Sequence, residues 1–227
     1  MRVLGVDGCP RGWIVVELTD GVVSDCCFAA SFAEITTRDA SVIGVDIPLG
    51  EPPMPPATGR ATDRVARAFL QGPAKSSVFN APPWATLLRE DYADANRLAR
   101  EVVGKGLSRQ SWGLRSKILD ATPHWSEAPQ RLYEVHPEVS FQALAGGPIG
   151  GSKKTWAGHR ARLGLLRGAG IELPDNPGAA GTEGAIDDVS DAAVVAWSAA
   201  RIARGAAHSL PEPPERDVDG HPVAIWY

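Results

Sequence analysis

The tightest constraint in the sequence is a pattern that occurs twice, an apolar β-prone run that ends in aspartate and is broken by glycine and proline just beyond it. One copy is Arg2-Val-Leu-Gly-Val-Asp7, followed by Gly8-Cys-Pro-Arg-Gly12; the other is Ser41-Val-Ile-Gly-Val-Asp46, followed by Ile47, Pro48, Leu49 and Gly50. Each reads as a buried strand that delivers a carboxylate to its carboxyl end, because β-branched runs favour strands and Gly/Pro clusters end them. Open α/β sheets bind ligands outside the carboxyl ends of their parallel strands. If the two copies lie side by side, two carboxylates stand over one crevice.

The segment between them predicts that they do. Gly12 to Leu18 reads as a second strand, Thr19-Asp20-Gly21 as a hairpin turn, and Val22 to Phe28 as a third strand. Ser31-Phe-Ala-Glu34 has the form of a capping box and opens a short helix. In a β-β-β-α-β order with a right-handed crossover, the strand to Asp46 is parallel to the first and next to it. The expected fold is α/β: strands near Arg2, Gly12, Val22 and Val42 lie in one mixed sheet in the order 3-2-1-4, flanked by helices, and a further strand is expected near Arg131. At 227 residues with 44% hydrophobic side chains, one domain over 1–227 suffices to bury a core, with a helical insertion at about 52–128 before the fifth strand.

Farther along, Pro48 to Pro56 is too proline-rich for a regular element and reads as a rigid loop at the mouth of the crevice. A helix from Arg60 places Val65, Ala68 and Phe69 on one face, and Asp63 falls among solvated charges on the others. Helical patterns cover 84–103 and 108–119. In Arg131-Leu-Tyr-Glu134-Val-His136-Pro137-Glu138, a short strand carries Glu134 and His136 on one face, and Pro137 suits the first position of a helix. Ser152-Lys153-Lys154-Thr155 precedes an amphipathic helix carrying Arg160 and Arg162, residues 174–184 read as loop, and a long helix from about Ile186 to Arg204 opens with Asp187, Asp188 and Asp191. Asp219-Gly220 marks a terminal hairpin, from Arg216 to Tyr227.

Acidic groups at three strand ends, Asp7, Asp46 and Glu134, with a further cluster opening a helix, repel one another unless a cation binds or some are protonated. Hard divalent ions, which take oxygen ligands, are the natural partners. Ordinary roles compete for the same residues. Asp also begins turns, and acidic side chains in a first helical turn are stabilised by the helix dipole; the dipole accounts for Glu138 and for at least one of Asp187, Asp188 and Asp191. Asp188 and Asp191 share a helix face, so at least one can point into the crevice. His136 is a proton shuttle, a ligand or, by the commoner pattern, a hydrogen-bonded structural histidine. Lys153, Lys154 and Arg160 are either solvated surface or contacts to a substrate phosphate. A site for phosphates needs cations beside its carboxylates, so Lys153 and Lys154 are expected to border the crevice.

The formal net charge of -4 argues against a protein that coats nucleic acid electrostatically. The three cysteines fit neither a disulfide framework nor a zinc spacing, which suggests a reducing compartment. With no apolar run of membrane length and no leader pattern, a soluble cytoplasmic protein without a membrane partner is expected.

Taken together, Gly5-Val-Asp7-Gly8-Cys-Pro-Arg-Gly-Trp13, Gly44-Val-Asp46-Ile-Pro-Leu-Gly50, Arg60-x-x-Asp63-x-x-x-Arg67, Ser77-Val-Phe79, Glu134-Val-His-Pro-Glu138, Ser152-Lys-Lys-Thr155 and Asp187-Asp188-x-x-Asp191-Ala192 resemble domain-of-unknown-function family 429, regarded as predicted nucleases with a ribonuclease H-like fold. The resemblance implies a five-stranded mixed sheet, which places the strand near Arg131 at the edge in the order 3-2-1-4-5, and it implies Asp7, Asp46, Glu134 and Asp188 or Asp191 as metal carboxylates. The expected activity is metal-dependent phosphodiester hydrolysis on nucleic acid or nucleotide, with Mg²⁺ or Mn²⁺ as a two-ion cofactor and Lys153, Lys154 and Arg160 at the phosphates. The alternatives are a nucleotide-binding or phosphotransfer protein of the actin-like ATPase type, with Asp7-Gly-Cys-Pro-Arg-Gly12 as its phosphate turn, and a non-catalytic binding module on the same fold.

Overall fold

The computed structural model describes residues 1–52 and 59–227. Three antiparallel strands come first, β1 (Arg2–Cys9), β2 (Gly12–Thr19) and β3 (Val22–Ala29), and α1 (Phe32–Thr36) then crosses to β4 (Val42–Val45). Strand β4 pairs parallel with β1 from Val3↔Val42 to Val6↔Val45, and β5 (Leu132–Glu134) pairs parallel with β4. The sheet order is 3-2-1-4-5: the crossover argument placed β4 beside β1, and β5 takes the edge that the family resemblance implied. At α1 the capping box is altered: Glu34 accepts the N–H of Ala30 at 3.2 Å, one residue before the cap, and Ser31 makes no side-chain cap bond to the helix.

Between β4 and β5 lie α2 (Ala61–Phe69), a 3₁₀ turn (Gly72–Ser77), α3 (Trp84–Leu87), α4 (Tyr92–Val103), α5 (Arg109–Gly113) and α6 (Arg115–Glu127). The helical pattern over 84–103 is thus two helices, because Asp91 caps α4 by accepting the N–H of Asp94 at 3.0 Å and turns the chain there. Of the proline-rich loop from Pro48 to Pro56, residues 53–56 lie outside the described residues. After β5 come α7 (Pro137–Ala145), α8 (Trp156–Gly168), α9 (Ala179–Glu183), α10 (Ile186–Ala203) and the hairpin β6 (Ser209–Arg216) and β7 (Pro222–Trp226). Helix α9 falls where a loop was expected, and β6 starts ahead of the expected hairpin, its prolines tolerated because it pairs on one side only, with β7.

The strands alternate between two cores. Leu4, Val6, Val15, Ile43, Val45 and Leu132 face Ile118, Ala121 and Trp125 of α6, while Val3, Ile14, Val16 and Val42 face Ala192, Ala193 and Ala196 of α10. Gly5 governs the second contact: a Cβ there would stand 2.1 Å from the carbonyl oxygen of Ala192 and the nitrogen of Ala196. Helix α10 therefore lies directly on β1 and runs opposite to it, which brings its first turns to the carboxyl end of the strand. No helix among the described residues is long and apolar enough to cross a membrane.

Candidate metal centre

Asp7 is two residues beyond Gly5 and faces the same way, towards α10. It is 7% exposed, and one carboxylate oxygen accepts the N–H of Gly8 at 2.9 Å. The N–H of Asp46 donates to the carbonyl of Val6 at 2.9 Å, so the parallel register carries past the end of β4 and sets Asp46 beside Asp7. Asp191, 1% exposed on α10, comes in from above. Burial raises the Asp7 carboxyl well above its ordinary value, with Asp46, Asp191 and Asp188 adding repulsion. Asp46 is pushed up to about 7 by burial and by Glu138 and Asp188, against the pull of Lys153. Asp191 is pushed up to about 7 by burial, with Asp46 and Asp187 adding to it, although Lys153 opposes the rise.

The three acidic residues at the start of α10 divide the work that the sequence left open between them. Asp188 accepts the N–H of Ala185 at 2.7 Å and so satisfies the helix end, yet its charge still raises Asp7 and Asp46. Asp187 is buried, which pushes it up, but an ion pair with Lys154 at 2.8 Å and a second with Lys153 at 3.3 Å outweigh burial and hold it below its ordinary value. Asp191 pairs with Lys153 through one oxygen; the other is buried and meets no hydrogen-bond donor among the described residues.

Glu134 is a correction. It ends β5 as the pattern indicated, but it pairs in register with Val45, not with Asp46. Adjacent residues of a strand point to opposite faces, so Glu134 is turned to the face opposite Asp7 and Asp46. There its carboxylate receives Arg60 at 2.7 and 2.9 Å and the N–H of Leu49 at 2.8 Å. The same guanidinium binds Asp63 at 2.7 Å, and Asp63 also accepts the N–H of Ala81; Asp63 is 2% exposed and does not belong to a solvated face.

The carboxylate found near Asp46 in its place is Glu138, in the first turn of α7, held by Arg162 of α8 through both oxygens at 2.8 Å. Dipole stabilisation hid this role from a reading of the sequence, although the stretch Glu134-Val-His-Pro-Glu138 contained both residues. Lys117 of α6 was also missed: it donates to the carbonyl of Gly12 and lies over the Trp13 ring, and its charge reaches Asp7. No local pattern could signal it, since it arrives from the insertion. Lys153 and Lys154 border the acidic group as expected. Arg160 stands apart, exposed on α8 with its guanidinium over the Trp156 ring. His136 is half-buried; its Nε2 is 3.4 Å from the carbonyl of Ser77, and burial lowers its pKa.

The donor set suits a hard divalent ion: it consists of carboxylate oxygens, one of them buried without a partner, and a lysine ammonium already stands among them. The carboxylates are not drawn tightly together. The trio of ligand atoms within 4.8 Å of one another among the described residues is Asp217, Asp219 and His221, where Asp217 accepts the N–H groups of Asp219 and His221 in an ordinary Asx turn.

This crowding predicts a pH dependence. A carboxyl whose pKa is higher folded than unfolded binds its proton more tightly in the native state, so stability falls as pH rises from the ordinary value towards the folded one. For Asp46 and Asp191 that window runs from 3.8 to about 7. His136 works in the opposite direction only below its ordinary 6.5. In chelator, stability is therefore expected to drop by on the order of 1–2 kcal/mol between about pH 6.5 and 8. Urea denaturation at fixed temperature measures it, and a flat or rising profile contradicts the crowding.

Residues 5–216 match the model of a family described as "Protein of unknown function (DUF429)". No curated protein and no solved structure matches the chain.

Proposed function

The chain belongs to the DUF429 family, and from that premise we propose that it is a ribonuclease H-like, divalent-metal-dependent phosphodiesterase acting on nucleic acid. The observation that carries the reading is the convergence of Asp7, Asp46 and Asp191, with Asp188 at the edge, where two parallel strands end beneath the first turns of α10. These residues would hold Mg²⁺ or Mn²⁺. Such ions supply an activated water and stabilise the leaving oxygen of a phosphodiester.

The chain's own groups would do the rest. Asp7, flanked by charge from Asp46, Asp188 and Asp191, would be the central carboxylate of the set that holds the metal. Lys117, whose charge reaches Asp7, and Lys154, paired with Asp187, bring positive charge to the group, which a phosphate needs beside carboxylates that repel it. Glu134 is kept out of the set by Arg60. The actin-like alternative draws no support from Gly8 to Gly12: Cys9 pairs directly with Gly12, and the two-residue turn between them leaves no loop to wrap a phosphate. We place the protein in the cytoplasm, where its three free cysteines persist; burial pushes the Cys26 and Cys27 thiols up to about 11, away from reactivity.

Labelled single-stranded and duplex DNA and RNA, incubated with Mn²⁺, with Mg²⁺ or with chelator, test the reading. Cleavage that needs the metal and disappears in Asp46→Asn is expected. Cleavage that survives chelator or that substitution, or no cleavage of any of the four substrates, overturns it.

A further inference from the structure

The two lysines at the acidic group are held differently. Among the described residues, the Lys154 ammonium pairs with Asp187 alone, and Asp187 is the acid of this group whose pKa falls. Lys153 pairs with Asp191 and Asp187, and its charge also acts on Asp46 and Asp7, so its ammonium occupies the region where the carboxylates converge. Its side chain is nevertheless 30% exposed.

The backbone beneath Lys153 is pinned. Ser152 accepts both the N–H and the hydroxyl of Thr155, at 2.9 and 2.8 Å, and the Thr155 hydroxyl in turn accepts the N–H of Gly158 to cap α8. Helix α8 approaches so closely that a Cβ on Gly158 would stand 2.1 Å from the carbonyl oxygen of Ser152. Movement of the ammonium therefore needs only rotation about the side-chain bonds of a partly exposed lysine, with no loop rearrangement.

We propose that Lys153 is an exchangeable counter-ion: it offsets part of the charge of Asp191, Asp46 and Asp7 when the site holds no metal, a divalent ion displaces it, and the displaced ammonium becomes available to the substrate phosphate. This rests on the metal-dependent reading above and adds a competition internal to the site. Lys154 stays on Asp187 throughout, so the charge that Lys153 vacates falls on the residues that would hold the ion. One side chain thereby keeps crowded carboxylates tolerable before metal binds and sets the threshold at which it does.

Isothermal titration with Mn²⁺ of the wild type, Lys153→Met, Lys153→Arg and Lys154→Met tests the competition. Removing the resident charge is expected to tighten Mn²⁺ binding at least tenfold in Lys153→Met, which corresponds to about 1.4 kcal/mol. Lys153→Arg, which keeps the charge, is expected to bind no more tightly than the wild type, and Lys154→Met to change affinity less than threefold. In chelator Lys153→Met is expected to melt below the wild type and to gain more from added Mn²⁺. Should Lys153→Met not fold without metal, Lys153→Gln titrated alongside Lys153→Arg carries the comparison, and refolding of Lys153→Met by Mn²⁺ itself supports the exchange. Equal Mn²⁺ affinity in the wild type and Lys153→Met overturns the exchange and leaves the metal site standing. Absence of Mn²⁺ binding in every variant removes the metal reading and this inference with it.

Discussion

Asp7→Asn is expected to lose Mn²⁺ binding and, in chelator, to melt at or above the temperature of the wild type. The two effects share one cause. Asp7 is buried, is repelled by three other carboxylates, and among the described residues has Gly8 N–H as its one hydrogen-bond donor. Removing its charge relieves desolvation and repulsion, whereas an asparagine oxygen can still accept from Gly8. The same change takes a hard anionic ligand from the middle of the set. Titration with Mn²⁺ and melts in chelator separate the outcomes: retained Mn²⁺ affinity removes Asp7 from the site, and a clear fall in melting temperature makes it a turn residue. Asp188→Asn is expected to be milder on both counts, because part of that carboxylate is already committed to the N–H of Ala185.

Arg60→Met is expected to destabilise the protein by about 3–5 kcal/mol, since it leaves two buried carboxylates without their counter-charge. Arg60 is 3% exposed and joins Glu134 of β5, Asp63 of α2 and the carbonyls of Leu49 and Gly50 at one point. Burial alone would lower the guanidinium pKa; the two carboxylates outweigh it and raise it. For a chain of this length the loss corresponds to about 6–20 °C in melting temperature. Glu134→Gln is the informative companion, because it is expected to lower stability while leaving Mn²⁺ affinity near the wild-type value. A large loss of Mn²⁺ affinity in folded Glu134→Gln would return that residue to the metal set. A melting temperature for Arg60→Met within a degree or two of the wild type would mean that the triad contributes little.

The contrast between Asp46 and Glu134 shows how far local patterns reach. Both end parallel strands, both are acidic, and both precede a turn or helix start. Asp46 follows Val-Ile-Gly-Val, whose parity is tied to Gly44 and so to the α10 face, where Asp7 follows Gly5 in the same phase. Glu134 ends a strand of three residues, too short for its own alternation to state which face is which. The helix boundaries in the insertion were blurred for a related reason, since Asp91 before α4 and Leu114 between α5 and α6 interrupt a continuous amphipathic pattern without breaking its composition.

The sequence by itself determined the first four strands, their order, the adjacency of Asp7 and Asp46 and the acidic start of the last long helix, because these follow from period-two runs, turn chemistry and the handedness of one crossover. Only the tertiary structure decided which carboxylates meet. A register offset of one residue sends Glu134 to Arg60 on the opposite face, the absence of a Cβ at Gly5 lets α10 lie against β1 and lower Asp191 onto Asp7, and the close seat of α8 on Ser152 holds Lys153 beside them. Side-chain direction in a sheet alternates with every residue, and contacts between distant segments depend on how closely two backbones can approach, so neither is written in a local pattern.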